Sequence, residues 1–159
     1  MKYIKSYFTT LFILIILIFT VGCRGTEYQK SIYYDDKKIA SEGDSYTFLV
    51  RNGVVEDNKT SIKFSSFTGM ETIYIIEAAS NSKLKIDFNS KVSKGKFKVV
   101  FIDTNNKITK ILEGTQEGSM ELDLLKGRSR IKLVGKDTGG EVRIVLYPSN
   151  NIEIMEKNQ

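Results

Sequence analysis

The side chains able to do chemistry in this 159-residue chain are few. It has no His and a single Cys, Cys23. Without His, zinc sites of the Cys/His type, haem with a His axial ligand and His-based catalytic triads are excluded. One thiol also excludes an intrachain disulfide framework and any CxxC motif. Carboxylates can act in pairs without further help, as in glycosidases. Asp35 with Asp36, Glu113 with Glu117 and Glu121 with Asp123 are close enough in sequence to consider. Asp35-Asp36 fall in a polar segment open to water, and Glu113 and Glu117 flank Gly114 and Gly118 in a loop. Glu121 and Asp123 alternate along a strand pattern, where basic partners across a hairpin account for them. Asp103-Thr104-Asn105-Asn106 has the oxygen donors calcium prefers, but not the Gly and distant Glu of a D-x-[DN]-x-[DN]-G loop. Asp and Asn are also ordinary turn residues. Gly139-Gly140 and Gly114 to Gly118 are not phosphate loops, because no helical pattern follows them. The expectation is a protein with no enzymatic activity, no metal and no cofactor.

What remains is charge. Lys83, Lys85, Lys91, Lys94, Lys96 and Lys98 share a segment whose only acid is Asp87. Lys94, Lys96 and Lys98 are the candidate contact for an anionic ligand such as lipid headgroups, a wall polymer or an acidic polysaccharide. The plainer reading is that Lys keeps the wet face and edges of a sheet soluble. Flat aromatic platforms for sugars are weakly represented, with Trp absent and Tyr scattered.

The N-terminus reads as an address. Lys2 and Lys5 precede an uncharged stretch from Ser6 to Cys23, in which Leu11 to Phe19 is unbroken apolar sequence. That order is the n-region and h-region of a secretory signal. Phe19-Thr20-Val21-Gly22-Cys23 then resembles the bacterial lipobox, with Thr20 in place of the usual Leu. The resemblance implies cleavage before Cys23 and acylation of its thiol, which makes the bilayer a partner. An uncleaved signal anchor and a plain signal peptide with a free Cys are the alternatives. All three place the body of the protein on the extracytoplasmic side of the cell membrane. Removing residues 1–22 leaves a net charge of +3, far from a nucleic-acid-binding composition.

The elements that would position these groups are strands. From Tyr46 onward apolar and polar residues alternate, and turn residues recur every ~8–12 positions, as in sandwiches and barrels. No window of 11 or more residues after Cys23 has the period of a helix. Strands are expected near 46–52, 61–67, 71–79, 83–90, 96–103, 107–113, 119–125, 128–136 and 141–147. Strand 71–79, apolar on both faces, belongs in the centre of a sheet. The expected fold is an all-β, antiparallel, jelly-roll-like sandwich of eight or nine strands after an N-terminal signal helix. The divisions are 1–22 signal, 23–44 tether with one edge strand near Ile32–Tyr34, 45–148 sandwich and 149–159 polar tail, with an edge strand or nothing at Ile152, Ile154 and Met155.

Charge and burial together predict a C-terminal meander. A turn at Lys126-Gly127 sets Leu122 on Ile131 and Met120 on Leu133, with Asp123 on Arg130 and Glu121 on Lys132. A loop at Asp137 to Gly140 sets Lys136 on Glu141, Leu133 on Ile144 and Ile131 on Leu146. A hairpin about Asn105-Asn106 sets Lys98 on Glu113 and Val99 on Leu112, yet it also sets Phe101 on Lys110, which leaves its register open.

From Gly95 on, the chain resembles a family of small uncharacterised lipoproteins of Gram-positive bacteria. The shared pattern is Gly95-Lys96-Phe97-Lys98-Val99-Val100-Phe101-Ile102-Asp103, Gly118-Ser119-Met120-Glu121-Leu122, Lys126-Gly127, and Ile131 to Gly140. Arg128-Ser129-Arg130 departs from it where a Tyr or Trp is expected. The resemblance implies a β-sandwich on a lipid anchor and brings no catalytic residue. The expected role is a non-catalytic, membrane-anchored envelope protein, either binding or structural, with an envelope protein or polysaccharide as partner. A carbohydrate- or anionic wall-polymer-binding module is the alternative.

Overall fold

The structure, a computed structural model, describes residues 25–157. Eight antiparallel strands dominate it: β1 (Ser45–Thr47), β2 (Val50–Glu56), β3 (Lys59–Ala78), β4 (Ser82–Ile102), β5 (Ile108–Glu113), β6 (Gln116–Leu124), β7 (Gly127–Tyr147) and β8 (Ile152–Glu156). The sequence breaks expected inside β3, β4 and β7 do not end those strands. Each continues through a bend into a second layer. β3 shifts register between Phe64 and Gly69, β4 between Val92 and Lys96, and β7 runs on through Asp137 to Gly140.

The first layer therefore holds β2, the start of β3, the end of β7, the start of β4, and β6. The second holds β1 and β8 beside the end of β3, then the start of β7, the end of β4, and β5. Long strands that switch layers through bulges are how sandwich corners are built. Four of the residues with positive φ, Ser66, Gly69, Gly95 and Asp137, lie at these bends. Gly95 is required there: its φ is +70°, and a Cβ would strike the Asp137 carbonyl. Turn chemistry written at 91–95 and 137–140 thus bends continuous strands instead of reversing them.

The expected C-terminal meander does not form. Lys126 and Gly127 carry the chain from the first layer to the second, so β6 and β7 are not neighbours. β6 pairs with β4, placing Leu122 on Leu84, Glu121 on Lys85 and Asp123 on Lys83. β7 lies between β3 and β4, with Ile131 opposite Phe101 and Leu133 opposite Val99. Antiparallel strands of matching parity satisfy the same burial and charge tests, and that parity is what the sequence showed. The β4–β5 hairpin keeps Lys98 on Glu113 and Val99 on Leu112. A bulge after Val99 then sets Phe101 on Thr109, not Lys110. Strand 46–52 is two strands in different layers, and Ile152, Ile154 and Met155 form an edge strand on β3.

The core between the layers gathers Ile62, Phe64, Phe67, Phe97, Leu133 and Ile144 with their neighbours. The second layer is also covered outside. Residues of the expected tether form α1 (Glu27–Ile32) and α2 (Asp36–Ala40). Thr26 caps α1 in a reciprocal box with Gln29, and Asp35 caps α2. Ile32, Tyr33 and Ile39 pack on Met70, Val100, Ile102 and Val134. Each fully buried Ile contributes about 1.5–3 kcal/mol. These helices of six and five residues are too short to show a period over an 11-residue window.

The link from α2 to β1 is held by two basic residues of β7. Arg130 donates to the Ala40 carbonyl at 2.8 Å. Lys132, fully buried, donates to the carbonyls of Ser41 at 2.6 Å and Gly43 at 3.0 Å, with Asp44 3.3 Å away.

Candidate functional site

Cys23 lies outside the described residues; Lys94, Lys96 and Lys98 follow one another along the bend and second half of β4. Lys94 is exposed and stands opposite Gly139. Lys96 stands opposite Lys136 on β7, and both ammonium groups lie over the Tyr34 ring, at 5.2 and 4.8 Å. The Lys98 ammonium lies 4.8 Å over the Tyr33 ring. The three lysines thus do not form one free patch. Two of them meet aromatic rings at the α1–α2 junction, each contact contributing about 0.5–1 kcal/mol at an exposed site.

Electrostatics follow from these contacts. The hydrogen bond from Lys96 and the charge of Lys136 hold the exposed Tyr34 hydroxyl below its ordinary range. Burial lowers the Lys98 ammonium, against the opposing pull of Asp36 and Glu113. Burial raises Tyr33, helped by its hydrogen bond to Glu113 at 2.8 Å. Sequence reading missed Tyr33, Tyr34 and Lys136, since nothing local ties a Tyr-Tyr pair at 33–34 to β7. The adjacent aromatics in a polar segment were the one available signal.

The same corner receives the chain from its N-terminal side. Gly25 is buried against Thr68, where any Cβ would collide with the threonine side chain. Thr68 in turn accepts from the Asp137 amide at 3.1 Å. Gly25 therefore sits beside the bend that carries Lys136.

A second surface occupies the outer face of the first layer. Glu117, Asn89 and Arg143 lie in register across β6, β4 and β7. With strands ~4.8 Å apart, the outer two backbones are about 10 Å from each other. Among the described residues these three side chains have no hydrogen-bonding or ionic partner. In the next row the Asp87 carboxylate accepts from Tyr147 at 2.8 Å and from Ser119. Those bonds, with nearby Lys85, hold Asp87 below the usual carboxylate range. Together these residues rim a shallow groove of about 500 Å³ over Val145 and Phe88.

The remaining sequence candidates have structural duties. Asp103 accepts the amides of Asn105 and Lys107, both at 2.8 Å, as the side chain of a tight turn. Asp35 caps a helix, and Glu113 binds Tyr33 and Lys110. Glu121 pairs with Lys83, not with Lys132. Among the described residues no three metal-type ligands gather at one place.

No known family matches the chain, and no curated protein does. Several solved structures are loosely similar. A family 35 carbohydrate-binding module from an environmental isolate is 16% identical over 72% of this chain and 95% of its own, with a TM-score of 0.36. A family 35 module from Cellvibrio japonicus is 8% identical over 72% and 93%, at 0.38. TmCBM61, solved in complex with β-1,4-galactotriose, is 12% identical over 84% and 99%, at 0.35. Likeness this loose transfers no ligand and no site residue to this chain, whose described residues form by their own geometry an antiparallel β-sandwich of eight strands.

Proposed function

We propose that this protein is an extracytoplasmic module without catalytic activity, held to the cell membrane through acylated Cys23, that binds a polysaccharide on the open face of its first layer. The observation that carries the binding half is the row Glu117–Asn89–Arg143 above the groove. A saccharide hydroxyl both donates and accepts. An acceptor, an amide that does both, and a guanidinium donor in one row match a run of such hydroxyls. Among the described residues the three groups are unpaired, so a ligand need not break a bond within that part of the protein to reach them. The extracytoplasmic placement rests on the signal-like residues 1–22 and the lipobox resemblance.

Affinity electrophoresis through gels containing soluble cell-envelope and plant polysaccharides tests the reading. At least one polysaccharide should retard the protein. Arg143→Ala and Asn89→Ala should each weaken that retardation roughly tenfold, the effect of losing about 1.4 kcal/mol of hydrogen bonding. A protein retarded by none of them, or variants retarded as strongly as the parent, would refute it.

A further inference from the structure

We propose that the basic corner is a bilayer-docking surface: Lys94, Lys96 and Lys136, with the Tyr34 ring, rest on the anionic headgroups of the membrane that holds Cys23. This rests on the anchoring half of the function proposed above, and on none of the polysaccharide half.

The argument is one of reach. A 22-residue tether from Cys23 to Asp44 would let the domain stand tens of ångströms from the bilayer. Instead the described chain is already fixed at Gly25, which is buried against Thr68 beside the β7 bend. Only Arg24 stands between Cys23 and Gly25, and two residue steps span about 7 Å at full extension. That is shorter than the ~8–10 Å over which charge is felt at physiological salt. An acyl chain on Cys23 therefore leaves this corner, which Gly25 adjoins through Thr68 and the Asp137 amide, within reach of the headgroup layer.

The chemistry of the corner suits that position. Lys96 and Lys136 hold the Tyr34 hydroxyl between them, while the ring stays 60% exposed. An amphipathic ring flanked by lysines is the composition favoured at headgroup level. The acids around it are largely engaged. Glu27 pairs with Lys30, Asp35 with Lys38, and Glu113 with Lys110. Asp36 and Asp137 remain against Lys37 and the lysines of the corner, so the balance is positive. Each lysine near an anionic surface strengthens association about fivefold.

The test uses the full chain, extracted from membranes and checked by intact mass for acylation of Cys23. Two labelling sites are added singly, Ser93→Cys at the corner and Asn58→Cys at the β2–β3 turn, about 20 Å away along β3. The labelled protein is reconstituted into vesicles of phosphatidylglycerol with phosphatidylcholine, or of phosphatidylcholine alone. An aqueous quencher should be excluded from the label at 93 at least fivefold more than from that at 58, in the anionic vesicles only. High salt should abolish the difference, as should Lys94→Gln, Lys96→Gln and Lys136→Gln together, whereas the three Arg substitutions should preserve it. Acylated protein whose two labels are equally accessible, or shielded alike in both vesicles, overturns the docking surface and leaves the anchor standing. An unmodified Cys23 overturns both.

Discussion

Replacing Lys132 with Met measures how firmly the α2–β1 link is tied to the sheet. The Lys132 ammonium is fully buried and reaches the carbonyls of Ser41 and Gly43 and the carboxylate of Asp44. Burial lowers its pKa, with Asp44 opposing that shift. Met keeps the volume and the apolar stem but strands two carbonyls and one side of an ion pair. Breaking a buried pair in this way costs about 3–5 kcal/mol. Asp44 does not lose everything, because Lys157 and the Thr72 hydroxyl each still donate to it at 2.7 Å. The lower end of the range, about 3 kcal/mol, is the expected loss. With a urea slope of about 1.5 kcal/mol/M, the unfolding midpoint falls by about 2 M. Asp44→Asn should cost at least as much, since it leaves the ammonium without a counter-charge. It should also flatten the acid limb of stability. Burial acts to raise the Asp44 carboxyl, but hydrogen bonds from Lys157 and Thr72 and the charge of Lys132 bring it below its ordinary value. A depressed carboxyl stabilises the fold above about pH 4 and loses that contribution as the pH falls through the lower folded value. A Lys132→Met protein within about 1 kcal/mol of the parent, with an unchanged slope, would show that the buried ammonium does not hold this link.

Two further outcomes are expected. A double-mutant cycle between Glu121 and Lys83 should return a coupling of about 0.2–1 kcal/mol, and one between Glu121 and Lys132 none, which separates the observed β4–β6 pairing from a β6–β7 hairpin. Tyr74, fully buried and pushed up to about 12 chiefly by burial, should stabilise the fold fully below pH 10 and progressively less as pH rises from 10 towards 12; Tyr74→Phe should make the alkaline slope in thermal unfolding shallower, leaving the part that the raised Tyr33 contributes.

Strand positions were legible in the sequence because alternation is local. Ile73 and Ile75 against Tyr74 and Ile76 marked a central strand, and β3 does have partners on both edges. Partnership was not legible. Leu122 and Met120 match Leu84 and Ile86 as well as they match Ile131 and Leu133, because parity and charge alternate alike on every strand. The glycines at 69, 95, 139 and 140 could equally end a strand or bend one, since both need backbone freedom or close approach. What decides is whether the next segment finds its neighbours in the same layer, a property of the whole chain. The helices escaped notice for a related reason. Ile32 and Ile39 are seven residues apart in polar sequence, and only the apolar outer face of β3, β4 and β7 gives them somewhere to go. Val100 and Ile102, apolar on the face opposite Phe101, already announced that this outer face was covered.

Each candidate surface draws residues from segments far apart in sequence, which is why spacing alone found half of one and none of the other. The corner joins Lys94 and Lys96 of β4 to Lys136 of β7 and Tyr34 of the helical pair. The groove joins Glu117, Asn89 and Arg143 from three strands. Their relative placement follows from the bend itself. Arg143 lies four residues beyond Gly139, and Asn89 five before Lys94, so the row stands roughly 13–17 Å along the strands from the corner. A bilayer engaged at Lys94, Lys96 and Lys136 would therefore meet the fold where the layers join and leave the outer face of the first layer in water. Anchoring and polysaccharide binding then place no competing demand on any residue, and Lys136→Gln should leave retardation by a polysaccharide unchanged while Arg143→Ala leaves headgroup shielding unchanged. A variant at either surface that weakened both readouts, with its unfolding midpoint intact, would mean that the two surfaces are one site.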